Sequence, residues 1–180
     1  MSSPVVLVLA SGRGERFIAS GGSGSKLQAL LAGKSVLEHT LGAVLASGLA
    51  WHLEDAGHDG MGDSIAAAVR ATQDATGWLV LPADLPLVRP GTLRAVATAI
   101  EQHGVAVPRF RGQRGHPVGF APACRDALLL LQGAQGAASV VQAQAARDAV
   151  AYLDVDDEGI LIDIDTPQDL AQAEKRLVGR

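Results

Sequence analysis

The feature that most constrains this chain is the run Pro4-Val-Val-Leu-Val-Leu9, six apolar residues with no polar alternation. A strand with one wet face alternates apolar and polar side chains; an unbroken run belongs to a parallel strand covered on both faces. The run passes straight into "ASGRGERF", a glycine-rich turn where backbone can approach a ligand closely. A second run, Val80 to Val88, reads "VLPADLPLV" and holds one carboxylate, Asp84, between two prolines. Burying an ionised carboxylate is costly without hydrogen bonds, a cation or a metal. Nothing adjacent in sequence neutralises Asp84, so its partner must come from elsewhere in the fold.

Between and beyond these runs, strand and helix patterns alternate. "IASGGSGS", residues 18–25, has three glycines and three serines in eight residues and reads as a mobile loop without regular structure. Residues 35–46 predict a helix with Val36, Leu37, Thr40, Leu41, Val44 and Leu45 along one side. "WHLE" at 51–54 reads as a short strand and "DAGHDGMG" as a loop. Asp63 is placed to cap a helix over 64–75. A buried strand over 78–81 leads to Asp84, and Pro90 opens a helix to about Glu101. "GVAVPRF" is extended, "RGQRGHP" is a polar turn, "VGF" resumes a strand, and 122–132 is helical. A short helix covers 137–146. "AVAYLDV" and "ILIDI" read as strands, and "TPQDLAQAEKRL" starts a helix with Thr166 as cap, Pro167 in the first turn and Asp169 three residues after the cap. Repeated strand and helix units predict a layered α/β fold.

At 180 residues the whole chain, 1–180, is expected to form one domain with a substantial core. No apolar run approaches the roughly 20 residues that span a bilayer, and the start shows no export signal, so a soluble cytoplasmic protein with no membrane partner is expected. Fifteen basic against nineteen acidic residues, net −4, leave no global positive field for nucleic acid, and 3% aromatic residues leave no base-stacking surface. The single cysteine, Cys124, excludes an internal disulfide and a cysteine-rich metal site, and is expected to pack in or beside a helix. His52, His58 and His103 lack a mutual metal-binding spacing, and His39 sits in a helix as a structural or surface residue.

Gly12 and Gly14 let the first loop approach a negative ligand, Arg16 follows with a cation, and Lys26 can reach the same phosphate from beyond the flexible segment. The loop is not a Walker phosphate loop, and no helix is expected directly after the second glycine, as the dinucleotide fingerprint requires. Asp163 and Asp165 lie two apart in a segment read as extended, so both project to one side. With Asp84 they can converge at the C-terminal edge of a sheet, where magnesium offsets their repulsion while bridging phosphates. Each has an ordinary alternative: Asp163 as a turn carboxylate, Asp165 as a cap of the last helix, Asp84 as an acceptor for local amides.

"LASGRGERF" followed by Lys26, "GMGDSI", "LPADLPLV", "GQRGHPVGF" and "DIDTPQDL" occur in one order over residues 4–175. This series resembles the molybdopterin nucleotidyltransferases, and within them the molybdenum cofactor cytidylyltransferases. The resemblance implies a three-layer Rossmann-like fold of the nucleotide-diphospho-sugar transferase type with a mostly parallel sheet. It also implies magnesium-dependent nucleotidyl transfer from a nucleoside triphosphate, CTP, to molybdopterin, releasing pyrophosphate, with a molybdoenzyme or its maturation chaperone as a further partner. By the same resemblance Leu9, Ala10, Ser11, Gly12, Arg13, Gly14 and Arg16 wrap the phosphates and Lys26 contacts the triphosphate. Gly60, Met61 and Ser64 lie near base and ribose, Gly115, His116 and Pro117 face the acceptor, and Asp84, Asp163 and Asp165 hold the metal. Arg16, Lys26 and Asp84 carry the catalysis. Nine residues separate Arg16 from Lys26, more than in the compact form of the motif, and residues 47–63 are short. GTP as donor, a sugar phosphate as acceptor, and a noncatalytic cofactor carrier are the alternatives.

Overall fold

The computed structural model describes residues 3–180. In chain order the elements are β1 (Val5–Leu9), α1 (Glu15–Ala19), β2 (Leu30–Leu31), β3 (Lys34–Ser35), α2 (Val36–Ser47), β4 (Ala50–Glu54), α3 (Met61–Ala71) and β5 (Trp78–Pro82), followed by α4 (Pro90–Ala99), β6 (Val105–Phe110), β7 (Gln113–Arg114), β8 (Val118–Phe120), α5 (Arg125–Leu129), α6 (Ala138–Ala145), β9 (Val150–Asp154) and α7 (Pro167–Val178).

Seven strands form one sheet in the order β4-β1-β5-β8-β6-β7, with β9 also paired to β6. The five longest strands run the same way; β8 lies antiparallel between β5 and β6. In β1 the apolar run divides by the period of two. Val6 and Val8 join Leu79 and Leu81 of β5 in a core with α2, α4 and α7, while Leu7 and Leu9 join Trp78 and Val80 in a second core with α3, α5 and α6. A strand buried on both faces needs apolar residues at every position, which is why the run does not alternate. The result is the expected mixed α/β fold, helices on both faces of a mostly parallel sheet.

β1 sits between β4 and β5, so the chain leaves it toward one side and returns on the other. The C-terminal ends of β1, β4 and β5 therefore open a crevice at a topological switch point, where open α/β sheets bind ligands.

Several local expectations are corrected. A helix does follow Gly14 directly: α1 begins at Glu15 and takes in the first part of the segment read as a loop. It lasts five residues because Phe17 buries its ring and Gly22 folds back onto it, the Gly22 amide donating to the Phe17 carbonyl at 2.9 Å. Leu45 is exposed, although α2 otherwise buries the expected side and carries a capping box of Ser35 and Glu38. α3 starts at Met61 with Gly60 as its cap, not Asp63; Asp63 lies inside the first turn and accepts from the Gly133 amide at 3.0 Å. Over 122–132 the α-helix is confined to Arg125–Leu129. "ILIDI" is not a strand. Asp157, buried, accepts from the Arg89 amide, the Thr92 hydroxyl and the Gly159 amide, and starts a tight helical turn over Glu158–Leu161. The Ile164 amide then donates to the Asp84 carbonyl at 3.0 Å, so the segment is tied to the Asp84 loop rather than to a neighbouring strand.

Candidate active site

The crevice is built from the ends of three strands. After β1, the Ala10 amide donates to the Glu54 carbonyl at 2.9 Å, and Gly14 adopts a left-handed conformation, φ 63°, that a side chain would oppose. This turn aims α1 so that Arg16, itself exposed, reaches an Asp165 oxygen at 3.0 Å. Lys26 opens a short helical turn anchored by the buried Leu27. Despite the nine-residue separation, its ammonium lies 2.7 Å from Asp84 and 3.1 Å from Asp165. The partner that Asp84 lacks in sequence is thus Lys26.

One carboxylate oxygen from each of Asp84, Asp163 and Asp165 lies within 4.8 Å of the others. Thr166 caps α7 through the Asp169 amide, and the Asp165 amide donates to Asp169, leaving the Asp165 carboxylate free to face the crevice. Burial alone would lower the pKa of Lys26, but Asp84 and then Asp165 outweigh it and hold the ammonium above its ordinary value. Burial would raise Asp165; hydrogen bonding from Lys26, with the charges of Lys26 and Arg16, pulls it below the usual carboxylate value. Asp163 behaves oppositely. Desolvation where its carboxyl meets the cluster, then the charges of Asp165 and Asp84, push its pKa up. Three carboxylates facing two permanent cations leave one negative charge poorly compensated, and it resides on Asp163. An all-oxygen, anionic donor set of this kind suits a hard divalent cation.

Two clefts of about 440 Å³ each meet at this cluster. Ser11, Gly12, Arg13 and Gly14 line the first on one wall, and Gly60, Met61 and Ser64 on the other. Gly60 is required by packing: a Cβ there would stand 2.1 Å from the Gly133 carbonyl oxygen. Ala10, Asp84, Gly115, His116 and Asp163 line the second cleft. Leu9, Gly12, Arg16, Lys26, Met61 and Asp165 border both. Burial depresses the pKa of His116 against the opposing charge of Asp84, so the ring stays neutral at pH 7. Pro117 is buried and lines neither cleft.

Sequence reasoning did not single out His58 and Asp59 in the first cleft or Gln113 and Arg114 in the second. "GHD" sits in a loop and "GQR" in the tight hairpin that leads from β6 into β7, both made of common turn residues, and only the closing of strand ends around the crevice distinguishes them. Nor did it foresee that His52 and His58 meet on one carboxylate, Glu54.

The architecture matches solved structures along its whole length. Rv0371c from Mycobacterium tuberculosis is 23% identical with a TM-score of 0.77, covering 97% of this chain and 98% of that one. A nucleotidyl transferase from Methanothermobacter thermautotroptrophicus is 19% identical with a TM-score of 0.83 and 99% of each chain covered. Molybdopterin-guanine dinucleotide biosynthesis protein A from Archaeoglobus fulgidus is 23% identical with a TM-score of 0.68, covering 98% of this chain and 99% of that one. No curated protein matches in sequence. The family model described as the MobA-like NTP transferase domain matches residues 43–150, which include Asp84, Gly60, Met61 and Ser64, while the glycine loop, Lys26, Asp163 and Asp165 are joined to them by the fold. More than half of the chain fits that family, and the protein belongs to the MobA-like NTP transferases, a family of nucleotidyltransferases.

Proposed function

We propose that the chain transfers the nucleotidyl group of CTP to the phosphate of a molybdopterin-type acceptor, releasing pyrophosphate. The observation that carries this reading is the position of Lys26, bound to Asp84 and Asp165 where the two clefts join. In it the first cleft takes the nucleotide and the second the acceptor. An oxygen of the acceptor phosphate attacks the α-phosphorus as the bond to the bridging oxygen of the β-phosphate breaks, and pyrophosphate departs with that oxygen's electron pair. A phosphate nucleophile is already anionic, so no serine or cysteine nucleophile is required.

In this assignment the backbone of Ser11 to Gly14 approaches the phosphates, and Arg16 and Lys26 stabilise charge that develops on the α-phosphate and the leaving group. Asp84, Asp163 and Asp165 would hold magnesium, which when bound supplies further charge neutralisation at the phosphates. Gly115 and neutral His116 face the acceptor side. Pro117 serves behind them as part of the scaffold.

The deciding experiment incubates the protein and magnesium with CTP, GTP, ATP or UTP and with a panel of molybdopterin and sugar phosphates, and identifies products by mass. The expected product is the cytosine dinucleotide of molybdopterin. Higher turnover per unit concentration with GTP would move the assignment to guanylyl transfer, the second reading, favoured by the likeness to the Archaeoglobus protein. A sugar-nucleotide product would replace the acceptor. Saturable binding without pyrophosphate release would instead support a carrier.

A further inference from the structure

Glu54 ends β4 at the edge of the first cleft, and its side chain is only 10% exposed. Each carboxylate oxygen meets an imidazole: Oε2 lies 3.2 Å from His52 Nε2, and Oε1 lies 3.0 Å from His58 Nε2. Burial pushes the acid upward, but hydrogen bonds from His58 and His52 outweigh it and keep Glu54 ionised. The backbone carbonyl of the same residue accepts from the Ala10 amide at 2.9 Å and the Ser11 hydroxyl at 3.3 Å. One residue thus fastens the root of the glycine loop on one wall of the cleft and the His58 segment on the other. At the mouth the same walls are joined, among the described residues, by Arg13 and Asp59, 3.7 Å apart and both strongly exposed, a contact of little energetic weight. The spacing of the walls is set at the buried joint.

The joint also fixes how His58 faces a ligand. An ionised carboxylate only accepts hydrogen bonds, so Nε2 carries the proton and, in the neutral ring, Nδ1 is an acceptor. Among the described residues no group donates to that nitrogen. His58 lines the same cleft as Gly12 and Arg13. An acceptor in that wall pairs with an amino hydrogen and not with a carbonyl oxygen.

We infer that His58 reads the donor base through an exocyclic amino group, and that Glu54 is the positioning residue that fixes the tautomer and placement of the ring. The inference rests on the reading of the first cleft as the donor site. It names the ligand class as nucleotides with amino-bearing bases, cytosine above uracil, whose corresponding edge carries a carbonyl.

Binding of CTP and UTP, measured by calorimetry with magnesium and no acceptor, tests this without depending on the acceptor's identity. Wild type should bind CTP about tenfold more tightly than UTP, the size of one well-placed neutral hydrogen bond. His58→Ala should lose most of that ratio by weakening CTP alone. His58→Asn, whose side-chain oxygen can stand near the Nδ1 position, should recover much of it. Glu54→Gln offers one acceptor and one donor in place of two acceptors and should shrink the ratio without touching the ligand. Thermal melts accompany each variant, and His58→Asn and Glu54→Gln keep the test sound where His58→Ala is poorly folded. Equal weakening of both nucleotides, or an unchanged ratio in folded His58→Ala, overturns the inference. If wild type binds neither nucleotide, the donor-site reading beneath it fails, which is a separate result.

Discussion

Two carboxylate centres stand at the same edge of the sheet, and they solve burial differently. Glu54 is a single acid with a histidine on each oxygen and is saturated by its neighbours. Asp84, Asp163 and Asp165 are three acids sharing Lys26 and Arg16, and one of them is left repelled and raised in pKa. A saturated centre stores little capacity for another charge, so its effect is on geometry. An undercompensated one is tuned to receive a cation, and it keeps its charge only because solvent and a nearby ammonium share the cost. The difference predicts that the aspartate cluster governs chemistry and that the glutamate joint governs selectivity.

The largest effect should come from Asp84→Asn. The amide is nearly isosteric but carries no charge to hold a hard cation or Lys26, so magnesium-dependent turnover should fall on the order of 10²-fold while the fold persists. Turnover and circular dichroism measured together check this. Undiminished activity in the folded variant would remove Asp84 from the machinery and erase the contrast between the centres.

Lys26→Met should be next. Loss of a charge-assisted bond to phosphate, worth about 1.5–3 kcal/mol, corresponds to a roughly 10- to 100-fold fall in kcat/KM for the nucleotide. The same variant removes the ammonium that now sits on Asp84 and Asp165, so Mn²⁺ titrated without nucleotide and followed by electron paramagnetic resonance should bind more tightly than to wild type. Weaker Mn²⁺ binding would mean that Lys26 organises the cluster rather than competing with the ion.

Much of the fold was legible because its signals are local. Unbroken apolar runs marked β1 and β5, and Thr166, Pro167 and Asp169 marked the start of α7. The same holds for the candidate acids, since a lone carboxylate in "VLPADLPLV" demands a partner. Misread elements were those decided by distant contacts. "ILIDI" has strand composition, but the buried Asp157 and the Asp84 carbonyl claim its amides. α1 runs two residues into the glycine- and serine-rich stretch, and the buried Phe17 ring draws Gly22 back against it, a distant contact that composition does not signal. The Glu54 joint was invisible for the same reason: His58 lies in a loop, and nothing in "EDAGH" says that the chain doubles back onto the strand end.

A smaller effect separates the centres by pH. With its pKa raised on folding, Asp163 contributes stability that is present below its ordinary value of 3.8 and lost as pH rises through its folded value. Glu54 and Asp165, lowered, contribute stability that is present above their ordinary values of 4.5 and 3.8 and lost as pH falls through their folded ones. Asp163→Asn should therefore melt ~1–3 °C above wild type at pH 7 without metal, a modest gain because the group is exposed. The difference should close as the pH approaches 3.8, and magnesium should narrow or reverse it by stabilising wild type more. An unchanged gap across that range would show that Asp163 is not the repelled member.

His52→Ala should change function least, and it tests whether the Glu54 joint divides its labour. His52 bonds the same carboxylate as His58 but lines neither of the two clefts that meet at the aspartates. Removing it leaves Glu54 with one imidazole and a lone pair facing partly hydrated space, a loss of about 1 kcal/mol or a ~2–4 °C drop in melting temperature for a chain of this length. Because His58 Nε2 keeps its own oxygen, 3.0 Å away, the tautomer that leaves Nδ1 as the acceptor is preserved. The ratio of CTP to UTP binding should then stay at its wild-type value while stability falls. A shift in that ratio as large as the one expected for His58→Ala would mean that both histidines act through Glu54 as one unit. Selectivity would then reside in the charge of the joint and not in the one ring that reaches the ligand.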